Sequence, residues 1–278
     1  MNQNIKLKSI LFIGISLIIT SVFVFPFIWI FFTSIKPTNE IFSNTLKFLP
    51  EGKYYWQAYR NIWDSGKFSN YFLNSMKISM LVTSLSIIIS AMAALGFSRY
   101  QIKWKRSFLF IILFSQLFPL VLLVPPYYKI LSNLRLLDTH FALIISYICF
   151  ALPYSIWMLT GYVDSIPREL EEAALIDGAD QIGAYIRVTL PLALPGLAAT
   201  FIYCFILAWN EFLFATTFIS TPSLRTITIG LHSFIGQYGT EWNLLMSGAI
   251  ITTIPVVVLF MLLQNFLINS LTTGAVKK

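Results

Sequence analysis

The residues best placed to do chemistry are acids gathered in one stretch. Of twelve Asp and Glu in 278 residues, six lie close together: Asp164, Glu169, Glu171, Glu172, Asp177 and Asp180. Carboxylates at helical spacing in water pair with basic side chains or settle at helix N-termini; alone they make and break no bonds. Other reactive side chains are dispersed. His140 and His232 fall in different places, and catalysis needs converging groups. Cys149 and Cys204 each sit in an apolar run without metal-ligand spacing, and read as small packing residues. No G-x-x-x-x-G-K-S/T loop occurs, so ATP phosphates cannot be cradled in that way and any ATP must be handled by a partner. The expectation is a protein that is not an enzyme and carries neither metal nor organic cofactor.

The elements that must hold the acidic stretch follow from composition. Mean hydropathy is +0.74, with 57% hydrophobic residues and 11% charged ones, against about 25% charged in a soluble domain. Lipid is therefore the solvent for much of this surface. The net charge of +7 and pI near 9.4 come from bases scattered between apolar runs. That distribution suits anionic headgroups and loop orientation, not nucleic acid.

A spanning helix needs about 20 mostly apolar residues. Six runs qualify: Ile10 to about Phe32, then Tyr71 to Phe97, Ser107 to Tyr128, Phe141 to Val163, Leu194 to Ile219 and Leu244 to Ile268. The first follows Lys6 and Lys8, is too long for a signal-peptide core and lacks a small-x-small cleavage site, so it is expected to remain as a helix. The fold class predicted is all-α integral membrane, with about six transmembrane helices. An N-terminal helix and extracytoplasmic loop (1–70) lead into a transmembrane domain (71–268) and a C-terminal tail (269–278). With both termini inside, the inner loops carry ten Lys and Arg and the outer ones nine, but the inner set is denser: Arg99, Lys103, Lys105 and Arg106 share one short loop. Prolines within or at the edges of runs, Pro26, Pro119, Pro125, Pro126, Pro153, Pro195 and Pro255, suit kinked helices around a cavity or the general tolerance of membrane helices for proline.

The acidic stretch, residues 164 to 196, is too charged to span and is expected to fold in water. Pro167 opens a first helical turn, with Glu169, Glu171 and Glu172 at the positive end of its dipole. Leu170, Ala173, Ala174 and Asp177 recur on one narrow face. Gly178 supplies the left-handed residue that ends this helix, Asp180 caps a second one through Tyr185 and Val188, and Pro191 ends or kinks it. The product is a compact knob whose small Ala173 and Ala174 admit a close neighbour.

Glu172-Ala173-Ala174, three residues, Gly178, nine residues, Val188, one residue and Leu190-Pro191 resembles the EAA signature of binding-protein-dependent ABC importer permeases, with Val188 where isoleucine is commonest. Glu171 through Ala179 is similar to the carbohydrate branch. Asn74-Ser75, Trp209-Asn210-Glu211-Phe212 and the tail Leu271-Thr272-Thr273-Gly274-Ala275-Val276-Lys277 agree with it, the tail being maltose-permease-like. The resemblance implies a type I ABC importer permease of a bacterial cell membrane, with cytoplasmic termini. The knob would be a cytoplasmic coupling helix between spans four and five. It implies two ABC ATPase subunits, a second related permease, an extracytoplasmic solute-binding protein and a sugar substrate as partners. It gives Glu171, Glu172, Ala173, Ala174, Asp177, Gly178, Leu190 and Pro191 a part in ATPase coupling, with Glu172 on a basic residue of the ATPase, and gives Gly274 and Lys277 a tail contact.

Weaker signals surround this one. Glu211, with Asn210, lies in the fifth run as a pore-lining or gating group or as an interhelical hydrogen bond. Lys77 and His140 suit span ends, and Gln116 and Gln264 suit contacts between helices. Tyr54, Tyr55, Trp56, Tyr59 and Trp63 form an interfacial belt or a contact for a binding protein, and Arg225 through Leu231 resembles the family's outward contact region. A rival class, an ion-driven secondary transporter, usually has midplane acids and repeats; here Glu211 is the one acid well inside a run. A membrane-embedded enzyme is the other rival, and the scattered histidines speak against it.

Overall fold

The computed structural model describes residues 2–42, 48–50, 54–64, 66–236 and 239–275, with side chains between 11 and 267 of these. Helix dominates, as expected where hydrocarbon offers backbone groups no water to bond. In chain order the helices are α1 (Asn2–Ser34), α2 (Thr38–Ile41), α3 (Gln57–Asp64), α4 (Lys67–Arg99), α5 (Lys105–Phe114), α6 (Leu120–Asn133) and α7 (His140–Asp164). There follow α8 (Glu169–Ile176), α9 (Gln181–Ala184), α10 (Leu190–Leu192), α11 (Leu194–Trp209), α12 (Leu213–Phe218), α13 (Ile227–His232) and α14 (Trp242–Ala275). Two short strands, β1 (Ile235–Gly236) and β2 (Gly239–Thr240), pair antiparallel before α14.

Among the described residues, four helices, α1, α4, α7 and α14, are each long and apolar enough to cross a membrane, and two bent pairs bring the count up to six. Two expected runs are not single helices. The third turns through 95° between Leu117 and Leu120. Phe118 is extended there, at φ −69° and ψ 127°, because the ring of Pro119 disfavours helical backbone in the residue before it. The fifth run does not reach Ile219 as one helix: α11 stops at Trp209, and α12 begins at Leu213. Nor does Pro191 end the preceding helix. A π-helical turn, Tyr185–Thr189, continues into α10, and the bend of 75° comes before Leu194.

The chain forms two compact units, residues 1–68 with 231–254 and residues 69–230 with 255–278. In the first, the end of α1 and the start of α14 bound a cavity of about 270 Å³ lined by Trp29, Ile30, Thr33, Trp242 and Met246. Ser34 and Tyr59 share a hydrogen bond of 2.7 Å, and the Asn243 amide donates to the Lys36 carbonyl.

Among the described residues, the second unit has two apolar cores. One gathers Ile78 and Val82 of α4, Leu143 and Tyr147 of α7 and Phe214 and Phe218 of α12. The other, nearer the acidic stretch, joins Ala91 and Ala94 of α4 to Leu159 and Val163 of α7, Ile166, Tyr185 and Ala193. Helices α7 and α11 come closest at Gly196, where an added Cβ would lie 2.4 to 2.8 Å from Tyr162 atoms. Four buried hydroxyls are satisfied locally: Ser146, Ser155 and Thr160 donate to carbonyls one turn back in α7, and Thr200 does so in α11. Of the two cysteines, Cys204 is buried beside Ser155 at 3.1 Å, but Cys149 lies on an exposed face, so only the former is a core packing residue.

Candidate functional site

The acidic stretch folds as two short helices joined by a glycine turn. Glu169, Glu171 and Glu172 occupy the first turn of α8, where free N–H groups favour negative charge. The helix ends in a Schellman arrangement: Gly178 N–H donates to Leu175 O at 3.1 Å and Ala179 N–H to Ala174 O at 3.0 Å. This requires the φ of +89° that Gly178 adopts. Asp180 then caps α9, its carboxylate accepting from the Gly183 N–H at 2.9 Å.

The predicted site residues divide by the way they face. Glu172, Ala173, Asp177 and Gly178 are exposed, together with Ile176, whose apolar side chain is 87% exposed at the tip of α8. Ala174 is half-buried. Leu190 packs against the second core, and Pro191 is exposed in the first turn of α10.

Glu171 turns inward. Arg99, the last residue of α4, donates from Nε to both Glu171 oxygens at 2.7 and 2.9 Å, and the Thr189 hydroxyl donates to the same carboxylate. Arg99 also reaches Ser98 Oγ at 3.1 Å and the Ile166 carbonyl at 3.3 Å. Arg168 donates to the Ser98 carbonyl at 2.6 Å, and Tyr185 to the Ala91 carbonyl at 2.6 Å. Lys105 closes on Asp164 at 2.7 Å, where Ser98 Oγ also donates at 2.6 Å. The two ion pairs differ in weight. Side chains of Arg99 and Glu171 are only 10% and 15% exposed, so removing one partner strands a charge at a cost of about 3–5 kcal/mol. Lys105 and Asp164, at 25% and 42%, belong with solvent-screened pairs of about 0–1 kcal/mol. A notch of about 310 Å³ lies beside this network, lined by Leu95, Arg99, Tyr100, Arg168, Glu172 and Ile182 among others.

Sequence alone assigns no contact to Arg99, Arg168, Thr189 or Ile176. The density of bases from Arg99 to Arg106 was a signal, but it speaks first of orientation and does not say which base turns toward which acid.

The second candidate, Glu211, stands in the break between α11 and α12. It accepts the Tyr147 hydroxyl at 2.5 Å and the N–H groups of Phe214 and Ala215 at 2.8 and 3.1 Å. The Tyr147 bond joins two helices, one of the two roles open to Glu211 from the sequence, and the two N–H bonds cap α12. Asn210 is exposed and ends α11. Gln116 donates to the Phe150 carbonyl at 2.8 Å and His140 meets the Leu224 carbonyl at 3.1 Å, as span-end and interhelical groups should. Thr226, Ile227, Ile229 and Gly230 are buried, so most of the segment expected to face outward as a contact is core. Gly274 lies near the end of α14, and Lys277 lies outside the described residues.

The chain has clear relatives. The family model for the binding-protein-dependent transport system inner membrane component matches residues 86–273. The sulfoquinovosyl glycerol transport system permease protein SmoH of Agrobacterium fabrum is 34% identical over 97% of this chain and 94% of its own. The trehalose/maltose transport system permease protein MalG of Thermococcus litoralis is 34% identical over 98% of each. Among solved structures, a chain of a bacterial ABC transporter involved in the import of the acidic polysaccharide alginate matches with a TM-score of 0.77 and 22% identity. It covers 94% of this chain and 96% of that one, a likeness of fold.

Proposed function

The chain belongs to the family of binding-protein-dependent transport system inner membrane components, and from that membership we propose that it is one half of the membrane pathway of a sugar importer. A second, related permease supplies the other half. Two separate ATP-binding-cassette subunits hydrolyse the ATP, and an extracytoplasmic binding protein delivers the substrate. Carbohydrate is the substrate class because the relatives that match nearly end to end are named for sulfoquinovosyl glycerol and for trehalose and maltose.

The observation that carries this reading is the exposed face of α8. Glu172, Ala173, Ile176 and Asp177 offer a carboxylate, a small contact and an apolar tip on a helix rooted in buried structure. Such a surface suits a groove with a basic residue for Glu172 and an apolar floor for Ile176. Closure of the ATPase pair then moves α8, and through it the membrane helices, so that one cavity opens alternately outward and inward. If each bent pair is one span, the loop between spans four and five lies on the same side as both termini, and an ATPase docked on α8 puts that side in the cytoplasm. Asn210 and Glu211, at the break in the fifth run, are the gating candidates, and Gly274 and Lys277 keep the tail contact that the resemblance implies.

The test is purification of the tagged chain co-expressed with its ATPase subunits and second permease. The unmutated chain retains the ATPase and imports labelled oligosaccharide in vesicles containing the binding protein. Failure to retain any ATPase contradicts the reading.

A further inference from the structure

We infer that Arg99 is a positioning residue of the transport cycle, the strut through which displacement of α8 reaches α4. The inference rests on the coupling role proposed for α8 and adds the route inward from it.

The geometry of the root is the first ground. An exposed lever transmits displacement only where its attachment is stiffer than the lever's own bending. Arg99 grips α8 through Glu171 at 2.7 and 2.9 Å, and grips the linker between α7 and α8 through the Ile166 carbonyl at 3.3 Å. Its third contact, Ser98 Oγ at 3.1 Å, leads to Asp164 at the end of α7. One guanidinium thus joins the ends of α4 and α7 to the start of α8, and its planar array of donors suits that three-way contact where an ammonium would not.

The second ground is that Glu171 is held from the other side as well. The Thr189 hydroxyl donates to it from the π-helical turn that leads to α10. The carboxylate bridges α4 to the segment entering α11, so the two strands of the acidic stretch move with α4 as one piece.

The third is position. Arg99 is the terminal residue of a helix of 33 residues, Lys67–Arg99, so a shift at this end is carried along a continuous backbone ladder. Arg168 and Tyr185 add direct bonds to α4 carbonyls at Ser98 and Ala91, both 2.6 Å. None of these contacts uses Glu172 or Ile176, which leaves the outward face of α8 free to dock.

The test is the complete transporter in vesicles, with its ATPase subunits, second permease and binding protein, read as ATP hydrolysed per sugar imported and as ATPase retained on the purified complex. Arg99→Ala is expected to raise the ATP-to-sugar ratio at least about fivefold, the lower end of ordinary coupling free energies, with retention unchanged. Arg99→Lys, which keeps the charge and loses the fork, should fall between. Glu171→Ala should match Arg99→Ala, and the double variant should be no worse than either. Should Arg99→Ala not fold, Thr189→Val removes one bond to Glu171 without stranding a charge and should raise the ratio about twofold. An unchanged ratio in an intact complex overturns the strut, and so do additive losses in the double variant. Loss of ATPase from the Arg99→Ala complex at an unchanged melting temperature also overturns it, because Arg99 then belongs to docking. An unmutated chain that retains no ATPase instead removes the coupling role of α8 itself.

Discussion

Glu171 and Glu172 are consecutive in the chain and serve opposite sides of one helix. The first is bonded to Arg99 at 2.7 Å with 15% of its side chain exposed, whereas the second is exposed to solvent. A charge reversal at the outward position should therefore act on docking alone. Glu172→Lys is expected to weaken ATPase retention at least about tenfold, the scale of a lost charged pair at an interface, with the melting temperature unchanged. Glu171→Gln should retain the ATPase and lower the melting temperature. Pull-down and thermal unfolding of the two purified variants check the division.

Gly178 stands at φ +89°, and no heavy atom comes within 4 Å of where its Cβ would be. Substitution there is a matter of backbone strain, free of collision. Gly178→Val should cost about 1–3 kcal/mol and reduce sugar uptake while ATP hydrolysis continues. Transport assays beside ATPase assays give the comparison, and undiminished uptake by Gly178→Val would rule out a coupling role for the turn.

Gly196 fails for the opposite reason. Its Cβ would lie 2.4 Å from Tyr162, a collision between α7 and α11. Gly196→Ala should destabilise by about 1–3 kcal/mol, as overpacking does. Adding Tyr162→Ala should recover part of that loss, since it empties the space the methyl needs. Thermal unfolding in detergent measures the cycle.

Asp138 offers a pH test outside the spans. Its carboxylate accepts the Thr221 hydroxyl at 2.5 Å and the N–H groups of Ser220 and Thr221, each at 2.9 Å. The Thr221 bonds, ahead of a small opposing effect of burial, hold its pKa below the usual carboxylate value. The folded pKa is depressed, so the stabilisation is complete above the ordinary Asp range and disappears as pH falls through the lowered value. Hydrogen exchange at the Ser220 and Thr221 amides should accelerate only in that acid window, and Asp138→Asn should flatten the dependence. Exchange that does not vary across the window would contradict it.

The sequence carried much of this architecture because lipid imposes a strong signal: apolar runs of spanning length, and one charged stretch that cannot enter them. The cap at Asp180 and the left-handed Gly178 were legible because each depends on local backbone chemistry. The partner of Glu171 was not. Arg99 lies 72 positions away, and sequence alone gives no means of choosing among Arg99, Lys103, Lys105 and Arg106. The bend at Pro119 was visible as a proline but not as a turn of 95°, since the angle depends on what packs on either side. Glu211 was legible as an acid within an apolar run, open to a gating role or to a hydrogen bond between helices. That it would also cap α12 depended on the break after Trp209, which continuous hydrophobicity conceals.

The most direct measurement uses a cysteine at Ala173 in a background carrying Cys149→Ser and Cys204→Ala. A membrane-impermeant thiol reagent should label it from the cytoplasmic side only, and co-assembled ATPase subunits should block that labelling and cross-link to it. Labelling from the extracytoplasmic side, or labelling from the cytoplasm that the ATPase does not affect, would contradict the account.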